Sequence, residues 1–265
     1  MKDSIFEVIR SSWNQSMPLH QKITSDLYDD KFRDRSYTVF TQEEVEFIQK
    51  NLQPTGKNVI QLCCNNGVEL MSFKNLGANR CVGIDICDEA IHEANQRVQK
   101  LGYDIDYIRS NVYEIDTKYY DTFDILYLSV GTMRWLPDLS KLFSCCNKLL
   151  RKGGKIYIHE VHPIAEIIND DRYLEKQPLE LVYSFDQKEC LSDYGSLDYV
   201  GHTDDVLVER IWFIHSFTDI LGELLKNNLN LNYFQESTDD IADVYHLVRQ
   251  NDIRVPLSYK LIASK

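Results

Sequence analysis

Two stretches of this chain carry residues able to do chemistry. The first is "HEVHP", His159–Pro163. Glu160 and His162 stand two apart at the end of an apolar run, so in a strand they share a face while His159 points the other way. A carboxylate beside an imidazole orients it and raises its pKa, as in general-base pairs. The simpler reading is a strand that ends before Pro163. Zinc is not implied, because that signature needs HExxH on a helix. The second stretch is "VIQLCCNNGVEL", Val59–Leu70. An apolar strand runs into a turn, and a helix leaves from Gly67, as in a nucleotide-binding loop. Two cysteines and two asparagines stand where such a loop has glycines. Asp85 ends the next apolar run, close to the roughly 20-residue spacing at which an acid binds ribose hydroxyls. Asp85 also suits a cap for the helix that follows.

The elements that position these residues alternate. "NVIQLCC", "RCVGID", "DIDYIRSN", "FDILYLSVG" and "KIYIHEV" read as buried strands, and "GVELMSFKNLG", "CDEAIHEANQRVQKLG" and "LPDLSKLFSCCNKLLRKGG" as the helices between them. Apolar strands alternating with helices make a parallel sheet covered on both faces. Before this block, "SIFEVIRSSW" and "TQEEVEFIQKNL" read as helices joined by polar turns, and Thr41 with Glu44 forms a capping-box pattern. After it, "LELVYSF" and "DVLVERIWFI" read as strands of an insertion over 173–211. A helix, "SFTDILGELLKNNL", and two strand candidates, "NLNYFQES" and "VPLSYKLIASK", close the chain.

Composition narrows the function. The chain has 265 residues, is 43% hydrophobic and carries a net charge of −12. That balance, with no basic run, argues against a nucleic-acid partner. No apolar run is long enough to span a membrane, and no secretory signal is expected at the N-terminus. Seven cysteines without a CxxC fit reduced thiols in a cytoplasm, mostly buried as small hydrophobes.

The order of these features resembles the class I S-adenosylmethionine-dependent methyltransferases. Strand one ends in the loop, strand two in Asp85, and strand three in "SNV", where Asn111 and Val112 suit an adenine ring. The closest resemblance is to a bacterial small-molecule subgroup. It rests on Trp13–Asn14 with His20, "QLCCNNG", "RWLPDL" from Arg134 to Leu139, "EVHP", and the "VPLSYKLIASK" ending. The resemblance implies a doubly wound, mostly parallel seven-stranded α/β sheet in a single domain. Residues 1–54 would be a helical lid, 55–165 the cofactor core, 173–211 the substrate cover and 212–265 the last helix and strand pair. It implies S-adenosyl-L-methionine as cofactor, held by Gln61, Cys63, Asn65, Gly67, Asp85, Ile86, Asn111, Val112 and Ser129. The acid usual at the head of the loop is Gln61, expected to bond the cofactor's amino group less strongly than a carboxylate does. A side chain replaces glycine easily where φ stays negative, and asparagine tolerates positive φ better than most.

Trp13, His20, Trp135, Tyr199, His202 and His215 are the candidates for contacting the substrate. Trp135 suits a wall against the sulfonium; Tyr28, Tyr37 and Tyr194 are further aromatic candidates, and His92 and His246 read as surface or core-edge residues. The expected function is methyl transfer to a small molecule, with Glu160 and His162 as the catalytic pair. The oligomeric state is left open, a homodimer included. Rival readings are a nicotinamide oxidoreductase, which would want GxGxxG; a degenerate binding or assembly module; and a protein methyltransferase.

Overall fold

In a computed structural model of the chain, the described residues are 2–168, 180–201, 203, 205–245, 248 and 254–265. In chain order the main elements are α1 (Lys2–Lys31), α2 (Gln42–Asn51), β1 (Val59–Leu62), α3 (Val68–Asn75), β2 (Cys81–Asp85), α4 (Asp88–Leu101), β3 (Asp106–Arg109), β4 (Phe123–Leu128), α5 (Leu139–Leu149), β5 (Leu150–Val161), β6 (Leu191–Gly195), β7 (Val208–Trp212), α6 (Phe217–Lys226), β8 (Asn230–Ser237) and β9 (Ser258–Ser264).

Seven strands form one sheet in the order β3-β2-β1-β4-β5-β9-β8. The first five are parallel, and β9 enters antiparallel between β5 and β8. Strand alternation sends Ile60, Leu62, Leu126 and Leu128 toward α5 and α6. Val59, Ile125 and Tyr127 face the opposite layer, which α2, α3 and α4 build. Both faces of the central strands are therefore covered, which is why β1, β2 and β4 are buried and mostly apolar along their length. The order reverses between β1 and β4, and a ligand crevice is expected there, beyond the carboxyl ends.

Three local expectations need correction. The N-terminal segment is not a set of short helices: α1 runs unbroken for 30 residues with Pro18 inside it. It crosses the open end of the sheet to reach both α4 and β7, so tertiary packing outweighs the proline penalty. Thr41 does cap α2, accepting from Glu44 N at 3.2 Å. The reciprocal half of the box is not observed, because the Glu44 carboxylate is used by Tyr157 and His159 of β5, at 3.2 and 2.9 Å. Among the described residues of the insertion, β6 and β7 pair as a separate antiparallel ribbon. Among the described residues of the "LELVYSF" segment, Leu181 forms an isolated bridge to Ile168 in place of a strand.

Candidate active site

A cavity of about 540 Å³ opens where the strand order reverses. Its floor is the β1–α3 loop, the end of β2 and the segment after β4; its cover is α1 and the β6–β7 ribbon. That volume lies within the range of roughly 300–1,000 Å³ typical of small-molecule sites.

The loop is built in a way its sequence conceals. Cys63, Asn65 and Gly67 have φ of 54°, 48° and 78°. All three adopt the left-handed conformation for which glycine is the usual residue, so Cys63 stands in the loop without keeping a negative φ. For a residue with a Cβ this conformation costs roughly 1–2 kcal/mol, so neighbours must hold it. Asp85 does so from β2: one carboxylate oxygen accepts from Asn65 N at 2.8 Å, the other from Cys87 N at 2.9 Å. Asp85 thus ties the loop to the start of α4 while lining the cavity. Its pKa is raised by burial, against the pull of the backbone N–H groups of Cys87, Asn65 and Ile86. The Asn65 side chain folds back to accept from Asn66 N at 2.7 Å.

Two residues that sequence reasoning missed complete the support. Arg97 of α4, almost wholly buried, donates to the carbonyl of Asn66 at 2.9 Å and is itself paired with Asp29 and Glu93. Tyr107 of β3 donates its hydroxyl to the carbonyl of Gly67 at 2.6 Å. Its ring fills the space where a side chain at 67 would stand, since a Cβ there would lie 2.3 Å from Cζ. Gly67 is therefore required twice, by φ and by Tyr107. A charged residue aligned with the apolar face of α4 was the available signal for Arg97; Tyr107 had none.

Asn14, quoted only as part of a motif, explains the seat of α1. Its Oδ1 accepts from Glu89 N at 3.2 Å and its Nδ2 donates to Asp88 at 2.8 Å, so one helix caps another. Arg10 adds an ion pair to Asp88 at 2.7 Å.

Of the cofactor candidates, Cys63, Asn65, Asp85, Ile86 and Ser129 line the cavity. Gln61 does not: it is fully buried, donating to Glu69 and to Ser129 Oγ. Glu69, absent from the sequence candidates, faces the cavity instead. Asn111 turns onto its own chain, accepting from Tyr113 N at 3.0 Å, and lines a separate cavity with Phe6 and Tyr113. Val112 is in the core.

The aromatic candidates mostly gather. Trp13, His20, Trp135 and Tyr199 all line the cavity. Trp13 meets Trp135 edge-on at 5.4 Å, and His20 meets Tyr199 at 4.6 Å. Tyr199 also accepts from Asn65 Nδ2 at 3.3 Å, joining the cover to the loop. His20 Nε2 lies 3.1 Å from the Leu197 carbonyl and 3.5 Å from Asp198, while its Nδ1 has no partner among the described residues. Burial lowers its pKa, partly countered by Asp198. Tyr28 lines the cavity as well. Tyr37 packs on Phe32, and Tyr194 is exposed. His202 and His246 lie outside the described residues. His215 is a correction: its Nε2 sits 2.9 Å from the Leu136 carbonyl, away from the cavity.

The Glu160–His162 pair is the main correction. The two side chains do not meet. Glu160 accepts from Gly131 N at 2.6 Å, Met133 N at 3.0 Å and Val161 N at 2.7 Å, bracing the segment after β4. His162 leaves the strand for a turn, where its ring lies 2.8 Å from Glu236 Oε1 and accepts from Ile164 N at 3.0 Å. Strand alternation cannot carry past β5, which ends at Val161. Burial raises the Glu160 carboxyl to about 7, opposed by its three N–H donors. Neither residue lines the cavity.

All seven cysteines are free, five of them buried, with Cys63 half-buried and Cys190 exposed. Among the described residues no cluster of three metal-ligating side chains occurs, and no helix is long and apolar enough to cross a membrane.

Comparison with known proteins agrees with this geometry. Residues 60–158 match the family described as a methyltransferase domain. A ubiquinone biosynthesis O-methyltransferase of Aromatoleum aromaticum is 25% identical over 118 residues, 44% of this chain and 50% of that protein. The corresponding protein of Xanthomonas axonopodis pv. citri is 25% identical over 114 residues, 43% and 47%. The chain thus spans about half the length of the curated relatives it matches. An S-adenosylmethionine-dependent methyltransferase of Mesorhizobium loti superposes with a TM-score of 0.57 at 17% identity, covering 84% of this chain and 96% of that one. The geranyl diphosphate C-methyltransferase of Streptomyces coelicolor A3(2), solved with Mg2+, geranyl diphosphate and S-adenosyl-L-homocysteine, superposes with a TM-score of 0.56 at 13% identity over 84% and 78%. The chain therefore carries the class I S-adenosylmethionine-dependent methyltransferase fold, and within it residues 60–158 match a methyltransferase domain.

Proposed function

We propose that the protein transfers the methyl group of S-adenosyl-L-methionine to a small-molecule acceptor. The observation that carries this reading is the β1–α3 loop, which keeps three left-handed residues at 63, 65 and 67 although only one is glycine. Holding two side chains in that conformation is costly, and Asp85, Arg97 and Tyr107 are all committed to it. A chain that had lost its ligand would have no reason to keep such a loop.

The donor set suits the cofactor. Asp85 at the cavity wall offers a carboxylate to the ribose hydroxyls, since its two oxygens have about four acceptor sites and the backbone N–H groups of Asn65, Cys87 and Ile86 do not use them all. Ile86 and Ala90 supply apolar surface beside it. The loop N–H groups and the start of α3 favour a negative group. When bound, the cofactor supplies an activated methyl on a sulfonium, ready for in-line displacement. The chain's own work is to align an acceptor and exclude water. Trp13 and Trp135 form an aromatic wall there, whose faces attract a cationic sulfur. A base is needed only if the acceptor must lose a proton; the imidazole on this wall is His20, which burial keeps neutral.

A cavity roofed by α1 and the insertion fits a small molecule better than a protein side chain, and the net charge of −12 disfavours nucleic acid. In this reading residues 1–54 and 173–211 are the cover of a single catalytic domain. Seven unpaired cysteines suit a reducing cytoplasm. The nicotinamide reading lacks a pyrophosphate-binding GxGxxG. The test is calorimetric titration of the purified protein with S-adenosylmethionine and, separately, NADH: binding of the sulfonium alone is expected, and binding of NADH alone would overturn the proposal.

A further inference from the structure

Gln61 stands where the resemblance implies an acid, but its side chain never reaches the cavity. It is fully buried in β1, its Nε2 directed at the Glu69 carboxylate and, at 3.2 Å, at Ser129 Oγ. Its Oε1 is left without a partner among the described residues. Leaving a buried amide oxygen unpaired is unfavourable, so the orientation is set by the carboxylate opposite. Glu69 lies in the first turn of α3, brought back over the end of β1 by the left-handed loop. It is half-buried and lines the cavity beside Cys63 and Asn65.

The surroundings of Glu69 are those of an anion awaiting a cation. Its hydrogen-bond partners, Gln61, Ser129 and Tyr127, are all neutral. The charge that bears on it most is a second carboxylate, Glu44. Burial lifts its carboxyl to about 7. The carboxylates at the seam between α1 and α4 do have cations: Asp29 pairs with Arg97 and Lys100, and Asp88 with Arg10.

We propose that Glu69 supplies the carboxylate that holds the ammonium group of the cofactor's amino-acid end, and that Gln61 is its positioning residue. The acid missing from β1 has been exchanged across the loop. The proposal rests on the methyltransferase reading. It adds that the loop's departure at 61 is compensated, which no motif at 61 alone reveals.

The test uses two ligands that share the adenosine half. S-adenosylhomocysteine has the amino-acid end; 5′-methylthioadenosine lacks it. By calorimetry Glu69→Gln should weaken S-adenosylhomocysteine by about 10- to 100-fold, the range for a charge-assisted hydrogen bond, and leave methylthioadenosine within about 2-fold. The conservative variant Glu69→Asp, which keeps the carboxylate at the cavity, should lose less than Glu69→Gln does. Wild-type affinity for S-adenosylhomocysteine should decline as pH falls through about 7, where Glu69 takes up its proton, and Glu69→Gln should lack that dependence. Equal weakening of both ligands, or of neither, would overturn the proposal while leaving the methyltransferase reading intact. A wild-type protein that binds neither ligand would overturn both.

Discussion

Gly67→Ala is the substitution on which the loop argument can be weighed. At φ 78° an alanine carries a cost of roughly 1–2 kcal/mol. Its Cβ would also stand 2.3 Å from Tyr107 Cζ and 2.5 Å from Tyr107 Oη, inside any real contact distance. The ring cannot withdraw, because it is buried against Gly83, where an added Cβ would lie 2.5 Å away, and its hydroxyl is bonded to Gly67 itself. Overpacking of this kind costs roughly 1–3 kcal/mol. The sum is about 2–5 kcal/mol, and at roughly 2–4 °C per kcal/mol for a chain of this size the melting temperature should fall by about 4–20 °C. Urea denaturation gives the free energy directly. A second background separates the two contributions: with Tyr107→Leu in place, Gly67→Ala should cost only the backbone part, about 1–2 kcal/mol. If Gly67→Ala alone costs less than about 1 kcal/mol, the loop does not hold position 67 in the left-handed region, and the argument from its geometry fails.

Two other substitutions separate bracing from chemistry. Glu160→Ala strands the N–H groups of Gly131, Met133 and Val161; at roughly 1–3 kcal/mol per orphaned group, partly rehydrated, a loss of about 3–5 kcal/mol is expected. An unchanged melting curve with abolished turnover would instead make Glu160 a catalytic residue. With its carboxyl raised to about 7 from the ordinary 4.5, the folded chain keeps a proton there that the unfolded chain has released. This group's contribution is therefore full below about 4.5 and lost as pH rises through 7, and the stability–pH profile of Glu160→Ala should lack that slope. Asp85→Ala should weaken S-adenosylmethionine by about 1.5–3 kcal/mol and also lower stability, since Asn65 N and Cys87 N lose their acceptor. Unchanged affinity with lowered stability would reduce Asp85 to a brace for the loop and α4.

What the sequence made legible follows from which signals are local. Strand–helix alternation reflects burial on both faces, so the five parallel strands were readable from apolar runs, and β9 as a strand though not its antiparallel direction. Asp85 was readable because its position, at the end of β2 after a loop, is a matter of spacing. The Glu160–His162 pair misled because alternation was extended one residue beyond the strand, into a turn that redirects the ring to Glu236. Asn111 misled because a short polar side chain after a strand can bond its own backbone as readily as a ligand. The partners that sustain the loop lie 31 residues away at Arg97 and 40 at Tyr107. Only the folded chain brings them under it. Glu69 was hidden differently: it sits on a helix that reads as ordinary, and its meaning depends on Gln61 eight residues earlier facing it.

The central claim is that a loop with one glycine still forms the cofactor cradle, and calorimetric titration with S-adenosylmethionine tests it most directly. The account predicts saturable binding with a micromolar dissociation constant at one site per chain, abolished by Gly67→Ala. No heat of binding from a folded, monodisperse wild-type protein would mean that the left-handed loop is kept for another ligand, and would contradict the account.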